Sequence, residues 1–266
     1  MATPEFSDIF FCLSEHTWFN WLLLGMTILA VIVFIALHFI RAGYGMMYTK
    51  QWGCAIDNRI GWILMESPVF FAMLLMWWLS DRRSDLVPTI FLLIFELHYF
   101  QRSFIFPMLM RGRSVMPISI ILSGVTFNLL NAIMQGGWLF YLSPSYPDGW
   151  LTSLPFILGT VIFFIGMYIN LQSDYIVRHL REPGDTRHYI PRGGMFAYVS
   201  SANYFGELLE WIGFAILTAS LSGAVFAIWT FANLAPRARK INERYAEEFG
   251  EEFTRLRLKS IIPFIY

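Results

Sequence analysis

The chain is dominated by apolar blocks that are long enough to cross a lipid bilayer as helices. A hydrocarbon core about 30 Å thick requires about 20 apolar residues of α-helix. Several blocks in the 266 residues reach that length, and short polar segments separate them. Hydrophobic residues make up 56% of the chain and charged residues only 14%, against about a quarter charged in soluble domains. The sequence therefore predicts an all-α integral membrane protein.

The apolar blocks predict seven transmembrane helices in one domain that covers residues 1–266, since no repeat, long linker or charge run marks a second domain. The stretch 203–235 is ambiguous because a single helix of that length would measure roughly 50 Å, more than one bilayer and less than two. A break at Ser220-Leu221-Ser222-Gly223 gives two short spans; one tilted helix, and six spans in total, is the alternative. The predicted spans are about 17–40, 60–79, 87–107, 115–142, 151–177, 203–219 and 222–235.

Basic residues alternate between the connections. Lys and Arg cluster in 41–59, 108–114, 178–202 and the tail from 236, whereas 143–150 and 218–223 contain none. Short basic loops stay in the cytoplasm, so the N-terminus is expected outside or in the lumen and the C-terminus inside. Arg82 and Arg83 depart from this pattern, although Asp81 and Asp85 flank them. We expect the endoplasmic reticulum if the source is eukaryotic and the inner membrane if it is bacterial.

Several other classes of protein lack support in the sequence. A formal net charge of zero argues against a nucleic-acid partner. Cys12 and Cys54 form neither a disulfide framework nor a C-x-x-C motif. The five histidines are scattered without metal-ligand spacing, so no metal is expected, and no G-x-G-x-x-G fingerprint follows a strand.

Ionisable residues inside the predicted spans are the best candidates for function. A charge near the middle of a bilayer costs roughly 3 kcal/mol or more, so such residues usually face a cavity and have a role there. Glu66 lies in the second span, two residues before the helix-kinking Pro68. Glu96, Tyr99 and Arg102 share one face of the third span by their three-residue spacing. Alternatively, Glu96 and Arg102 simply neutralise each other.

Polar stripes continue in the later spans. The fourth span carries Asn128, Asn131 and Gln135 on one face, which either joins helices together or lines a cavity. The other polar positions, at the end of the fifth span and the start of the sixth, are Asn170, Asp174, Asn203, Glu207 and Glu210.

The connection 178–202 contains four arginines among Pro and Gly residues. Guanidinium groups match phosphate oxygens, so this loop suits a phosphate-bearing ligand, although arginine is also ordinary in cytoplasmic loops. The residues alone thus describe a helical membrane protein with a polar cavity and a basic cytoplasmic mouth. This description fits an enzyme that acts on a lipid with a phosphate-bearing cosubstrate, and it also fits a transporter of an anionic solute.

From about residue 40 to the end, the chain resembles the steroid 5α-reductase family in one order and with nearly constant spacing. The matching strings include Gly43-Tyr44-Gly45, Leu97-His98-Tyr99-Phe100, Arg111-Gly112-Arg113, Gly166-Met167-Tyr168-Ile169-Asn170, Ile190-Pro191-Arg192-Gly193-Gly194, Asn203-Tyr204-Phe205-Gly206-Glu207 and Ile262-Pro263-Phe264-Ile265.

The resemblance implies a seven-helix membrane enzyme that reduces the C4=C5 bond of a 3-oxo-4-ene steroid with NADPH as hydride donor. It implies that Glu66 and Tyr99 are catalytic and bond the 3-oxo oxygen; Glu66 donates only if it is protonated, and otherwise orients Tyr99. Besides steroid and bilayer no partner is expected, and the protein is expected to be a monomer. The cofactor positions that it implies are Tyr44, Arg113, Asn170, Asp174, Arg181, Asn203, Glu207, Arg237 and Tyr245.

Some positions depart from the family pattern. Met65 replaces a frequent glutamine beside the catalytic glutamate, Met110 replaces an asparagine, and His188-Tyr189 stands where an aromatic residue and then a basic one are usual. The string Asn203-Tyr204-Phe205-Gly206-Glu207 is also similar to a wider superfamily with isoprenylcysteine methyltransferases. A membrane methyltransferase that uses S-adenosylmethionine, or a reductase of another enone lipid, is therefore the alternative.

Overall fold

The computed structural model of the chain describes residues 7, 9–40, 52–112, 114–182, 185 and 187–266. Their architecture is a helical bundle with one two-stranded antiparallel ladder. The helices are α1 Thr17–Phe39, α2 Asn58–Leu79, α3 Leu86–Phe100, α4 Phe106–Leu109, α5 Ile118–Gly137, α6 Leu154–Arg178, α7 Ala202–Thr218, α8 Leu221–Phe249 and α9 Glu251–Thr254; the strands are β1 Ala55–Asp57 and β2 Val115–Pro117.

Among the described residues, four helices are long and apolar enough to cross a membrane: α1, α2, α5 with its extension to Leu142, and α6. The π-helical turn Gln101–Ile105 joins α3 to α4 without a break, so Leu86–Leu109 is one continuous helical rod. A second π-helical turn, Trp138–Leu142, extends α5. The prediction of an all-helical, membrane-type fold is confirmed by these elements. The number of spans and the orientation of the termini stay predictions.

The stretch 203–235 is divided, so the alternative of one long helix is wrong. Ala219 adopts a left-handed conformation with φ of 45°, and α8 begins after Ser220, whose hydroxyl accepts from the Gly223 backbone N–H at 3.0 Å. The break thus comes slightly before the expected place, and Ser222 and Gly223 lie inside α8. A serine N-cap explains this start, because its hydroxyl satisfies a backbone donor that the helix leaves unpaired.

Helix α8 extends beyond the predicted span 222–235. It continues through Pro236 to Phe249, with a charged second half. The tail then returns to this helix. Ile261 is fully buried against Leu234, Ala235 and Ala238 of α8.

Two glycine pairs bring α6 and α7 into backbone contact. A Cβ added to Gly166 would lie 2.6 Å from the Gly206 carbonyl oxygen, and one added to Gly159 would lie 2.6 Å from the Gly213 carbonyl oxygen. Small residues at such crossings allow membrane helices to approach closely and gain van der Waals contact. The backbones of α6 and α7 therefore lie very close together beside the polar residues at positions 170, 174, 203 and 207.

The ladder fixes a second helix pair. Ala55 pairs with Pro117 and Asp57 with Val115, immediately before α2 and α5 begin. The carboxylate of Asp57 also accepts from the Arg59 backbone N–H at 2.8 Å and caps α2. The two helices consequently leave the ladder side by side, which brings the second and fourth predicted spans together. The sequence did not predict these two short strands.

We expect Gly166→Ala to lower the thermal unfolding temperature in detergent by several degrees. The new methyl group has no space between the two backbones, and overpacking costs about 1–3 kcal/mol. The matched control is Gly25→Ala in α1, where a Cβ meets no atom within 4 Å. That variant should be neutral or slightly stabilised. Equal losses in both variants would refute the proposed close contact.

Candidate functional site

Two adjoining cavities lie within the helical bundle. We call the first the inner cavity; it measures about 800 Å³, and α1, α2, α3, α5, α7 and α8 contribute to its wall. Its wall is mostly apolar, with side chains that include Met26, Leu29, Val33, Met65, Phe127, Phe226 and Trp229. A pocket with a mainly apolar surface and polar groups at fixed positions is typical of a site for a largely apolar ligand.

The second cavity, called the mouth cavity, measures about 920 Å³, and Arg and Lys side chains on its wall outnumber the carboxylates of Asp57, Asp174, Glu182 and Asp185. Five residues, namely Trp62, Phe106, Asn203, Tyr204 and Arg237, line both cavities, so the two are continuous at this junction. Guanidinium and ammonium groups suit phosphate oxygens, and the volume falls within the usual range for ligand pockets. The cations of the mouth cavity are Arg59, Arg111, Arg178, Arg181, Arg237 and Lys240.

Glu66 lies on the wall of the inner cavity, and α5 holds its side chain in place. The Asn128 side-chain amide donates to Glu66 Oε2 at 3.0 Å and to the Met65 carbonyl oxygen at 2.8 Å. One asparagine thus fixes both the carboxyl group and the backbone turn that carries it. A polar anchor of this kind satisfies a carboxyl group that would be very unfavourable in lipid.

Tyr99 lies on the wall of the same cavity and is 3% exposed. The Asn131 amide donates to its phenol oxygen at 3.3 Å, and Gln135 donates to Asn131 Oδ1 at 3.3 Å and to the Ser222 carbonyl at 2.9 Å. Because the phenol oxygen already accepts, its own hydrogen is available to donate to a ligand. The polar stripe of α5 therefore both joins helices and contacts the two side chains singled out from the sequence.

Arg102 lies at the junction of the two cavities, among acidic and aromatic side chains. Its guanidinium nitrogens lie 3.6 Å from Asp174 Oδ2 and 3.6 Å from Glu207 Oε2. Its guanidinium carbon also lies 4.6 Å from the Trp62 ring centroid and 4.4 Å from that of Phe106. The cluster balances one buried positive charge against two carboxylates.

Glu96 is not the partner of Arg102, so the alternative of mutual neutralisation is wrong. Within the described ranges, both carboxyl oxygens of Glu96 are buried without a hydrogen-bond partner. Arg102 instead contacts Asp174 of α6 and Glu207 of α7.

Four of the implied cofactor residues form one group where α6 meets α7. The Asn170 amide donates to the Asn203 carbonyl oxygen at 3.1 Å, and the Asn203 amide donates to Asp174 Oδ1 at 3.4 Å. Glu207 is one helical turn further along α7 and lines the inner cavity. The glycine contacts between these helices explain why polar residues distant in sequence meet here.

The remaining implied cofactor residues are Arg181, Arg237 and Tyr245, which line the mouth cavity. Tyr44 and Arg113 lie outside the described residues. The loop over this cavity has its own ion pair: the Arg187 guanidinium and the Tyr189 hydroxyl hold the pKa of Asp185 well below its usual range.

A buried pair that the sequence did not single out joins α3 to α7. His98 Nδ1 lies 2.7 Å from Glu210 Oε2, and both side chains are almost completely buried. Each residue stood out as polar within an apolar span, but 112 residues separate them and no spacing rule links them. The pairing follows from the helix packing alone.

Comparison with known proteins now identifies the family. Residues 114–266 match the family model described as 3-oxo-5-alpha-steroid 4-dehydrogenase. The chain belongs to this family. It is 37% identical to steroid 5-alpha-reductase DET2 of Gossypium hirsutum, over 95% of this chain and 99% of that protein. It is 39% identical to 3-oxo-5-alpha-steroid 4-dehydrogenase 2 of Homo sapiens, over 92% of this chain and 96% of that protein.

Similarity extends to a further relative, 3-oxo-5-alpha-steroid 4-dehydrogenase 1 of Mus musculus, at 39% identity over 89% of this chain and 92% of that protein. Membership in the 3-oxo-5-alpha-steroid 4-dehydrogenase family confirms the resemblance seen in the sequence and the prediction of an oxidoreductase. It also implies a nicotinamide cofactor. The alternatives of a methyltransferase and of a transporter lose their support.

The Arg102 cluster gives a stability prediction for this family member. We expect Arg102→Met to destabilise the fold by about 3–5 kcal/mol, because it removes the cation that lies between the buried Asp174 and the partly buried Glu207. The control is Arg192→Met, which removes an exposed ion pair with Glu252 and should cost less than about 1 kcal/mol. Thermal unfolding in detergent measures both; similar losses would contradict the buried cluster.

Proposed function

We propose that the protein reduces the C4=C5 double bond of 3-oxo-4-ene steroids to give 5α-3-oxo steroids, with NADPH as the reductant. The observation that carries the proposal is the shared cavity wall of Glu66 and Tyr99, which continues into a cationic cavity. The relatives named above are steroid 5-alpha-reductases and 3-oxo-5-alpha-steroid 4-dehydrogenases, which supports the same substrate class.

The inner cavity suits the steroid. Its apolar side chains match a rigid hydrocarbon skeleton, and Glu66, His98, Tyr99 and Arg102 are among its polar side chains. A small set of convergent polar groups in an apolar pocket fixes the orientation of a ligand. The 3-oxo group would therefore point towards Tyr99 and Glu66, with the hydrocarbon rings among the Met, Phe and Trp side chains.

The mouth cavity suits the dinucleotide. Arg181 and Arg237 supply charge for its phosphates, and Tyr245 supplies an aromatic wall. The polar group of Asn170, Asp174, Asn203 and Glu207 would receive the nicotinamide end at the junction with the inner cavity. Tyr44 and Arg113 remain part of the proposed binding set. When bound, the reduced nicotinamide supplies the hydride that C5 of the steroid accepts.

Tyr99 and Glu66 stabilise the charge that develops on the 3-oxo oxygen. The Asn131 amide holds the phenol oxygen, so the phenol hydrogen of Tyr99 can donate to the ketone. Asn128 occupies one oxygen of Glu66, and the other can then bond the ketone if it is protonated, or orient Tyr99 if it is not. Donors that are already oriented in a water-poor cavity stabilise such an oxyanion strongly.

The membrane arrangement is part of the proposal. We propose seven spans in a single domain over residues 1–266, with the rod Leu86–Leu109, α7 and the first half of α8 added to the four apolar helices. The basic connections place the C-terminus and the mouth cavity in the cytoplasm, where NADPH is available, and the N-terminus outside or in the lumen. The proposed form is a monomer in the endoplasmic reticulum or the bacterial inner membrane.

We expect Tyr99→Phe and Glu66→Gln each to reduce turnover of a 3-oxo-4-ene steroid by about 10²–10³-fold, because each removes a group that stabilises the oxyanion. NADPH affinity should remain close to that of the wild type. Cofactor absorbance with progesterone or testosterone, and product mass, measure turnover in purified protein. The matched control is Tyr168→Phe, which removes an exposed phenol on α6. Near-normal turnover in both site variants would rule out these roles.

We expect Arg181→Gln to raise the dissociation constant of NADPH by about 10–100-fold, since a charge-assisted hydrogen bond contributes about 1.5–3 kcal/mol. Binding should also become less sensitive to salt. Calorimetric titration of NADPH without steroid measures the affinity. Arg255→Gln is the control, because that arginine is exposed and pairs with Glu251 on α9. Unchanged affinity in the Arg181 variant would place the phosphates elsewhere.

A further inference from the structure

The proposed reduction needs a proton at C4, whereas the roles proposed for Tyr99 and Glu66 are at the 3-oxo oxygen. After C5 accepts the hydride, the π electrons of C4=C5 extend over C4, C3 and the oxygen as an enolate. The saturated ketone forms only when C4 accepts a proton. A proton donor is therefore needed near C4, and its assignment to the His98–Glu210 pair rests on the proposed function.

His98 is built into the same wall as Tyr99. The two residues are neighbours on α3, both line the inner cavity, and their ring centroids are 5.1 Å apart in an edge-to-face arrangement. Trp211 packs against both rings, at 4.6 Å from His98 and 5.7 Å from Tyr99 between centroids. A ketone that accepts a hydrogen bond of about 2.7 Å from the phenol has its C4 atom only about 4–5 Å from the phenol oxygen. His98 therefore borders the region where C4 must lie.

Glu210 makes His98 suitable as an acid. Its Oε2 atom binds Nδ1 of the ring at 2.7 Å, and its Oε1 atom is buried without a hydrogen-bond partner in the described chain. A buried carboxylate without a cation is very unfavourable, so the pair favours a protonated imidazole. A hydrogen bond to one ring nitrogen also fixes the ring orientation and assigns proton transfer to the other, Nε2.

We propose that His98 donates the proton to C4 through Nε2 and that Glu210 is its positioning residue. The N–H bond of His98 breaks and a C–H bond forms at C4, while the enolate electrons return to restore the C3 carbonyl group. His98 is left neutral and regains a proton from water. The sum is one hydride to C5 and one proton to C4, which balances the reduction of the double bond.

Other charged groups surround the pair but are less suited to this step. Arg102, Glu207 and Glu66 line the same cavity; Arg102 holds its proton too tightly, and Glu207 lies beside Arg102. Glu96 is buried without a partner, yet it is not among the residues that line the inner cavity. Water and Tyr99 are the remaining competitors, and the experiment must separate them from His98.

The test is the face of C4 that receives deuterium when the reaction runs in D₂O. Wild-type protein should label a single face, because one fixed donor delivers the proton. His98→Asn retains an amide near the Nδ1 position but no acid at Nε2. We expect its turnover to fall by about 100-fold and the label to appear on both faces of C4, as water reaches the enolate from either side. Reduction of the product ketone at the quench prevents later exchange, and NMR assigns the face.

Three further variants make the result decisive. Tyr99→Phe should be slow yet keep single-face labelling, because His98 remains. Glu210→Gln should also slow turnover, since the charge that favours protonated imidazole is gone, and it provides a second test if His98→Asn does not fold. His16→Asn makes the same chemical change at the exposed N-cap of α1 and should behave as wild type.

The outcomes separate the two proposals. Single-face labelling with normal turnover in His98→Asn overturns the assignment to His98, and wild-type turnover in Glu210→Gln does the same for the pair. Labelling of both faces in Tyr99→Phe, but not in His98→Asn, would make Tyr99 the donor. If wild-type protein with NADPH forms no saturated ketone from any 3-oxo-4-ene steroid tested, the proposed function itself fails, and the role of His98 fails with it.

Discussion

The high free energy of an ion in hydrocarbon determines how the polar residues of this chain are arranged. An ionisable group inside the bundle is stabilised by a partner, and arginine, histidine and carboxylates gather where α3, α6 and α7 meet. Arg102 between Asp174 and Glu207, and His98 against Glu210, are the two resulting clusters. Glu96 lies apart from both and is buried without a hydrogen-bond partner in the described part of the chain. Arg102, Glu207 and His98 line the inner cavity, and Asp174 lines the mouth cavity. The site is therefore a consequence of charge compensation within lipid.

The α5 stripe shows how structural and functional requirements coincide. Asn128 joins α5 to α2 and Asn131 joins it to α3, and these same amides hold the carboxyl group of Glu66 and the phenol of Tyr99. Gln135 extends the chain of hydrogen bonds to the backbone of α8. Hydrogen bonds that link several helices restrict the motion of the groups they hold, although Gln135 Oε1 is buried without a partner in the described chain. Rigidity is what the proposed oxyanion site requires, because its donors must not reorient during the reaction.

Much of this arrangement was predictable from the sequence, and the failures have physical causes. Block length indicated the helices, and polar residues within apolar blocks indicated Glu66, Tyr99 and the α5 stripe. The extension of α8 to Phe249 was not predicted, because hydropathy marks the edge of the apolar region and not the end of hydrogen bonding. The pairing of Arg102 with α6 and α7, and not with Glu96, depends on which helices face that side chain, and periodicity along one span does not reveal this. The His98–Glu210 pair required knowledge of which helices pack together.

The glycine contacts between α6 and α7 have a consequence for how the enzyme tolerates its surroundings. These helices behave as one stiff body that carries Asn170, Asp174 and Asn203, whereas α2 and α5, tied by the β1–β2 ladder, carry Glu66 and its anchor. In the proposed reaction the first body would hold the cofactor and the second the steroid, so a sideways shift between them would change the distance across which hydride is transferred. Lipid thickness and lateral pressure act on that relative position. Under the proposed function, bilayer composition would thereby change the catalytic rate without any change in the side chains.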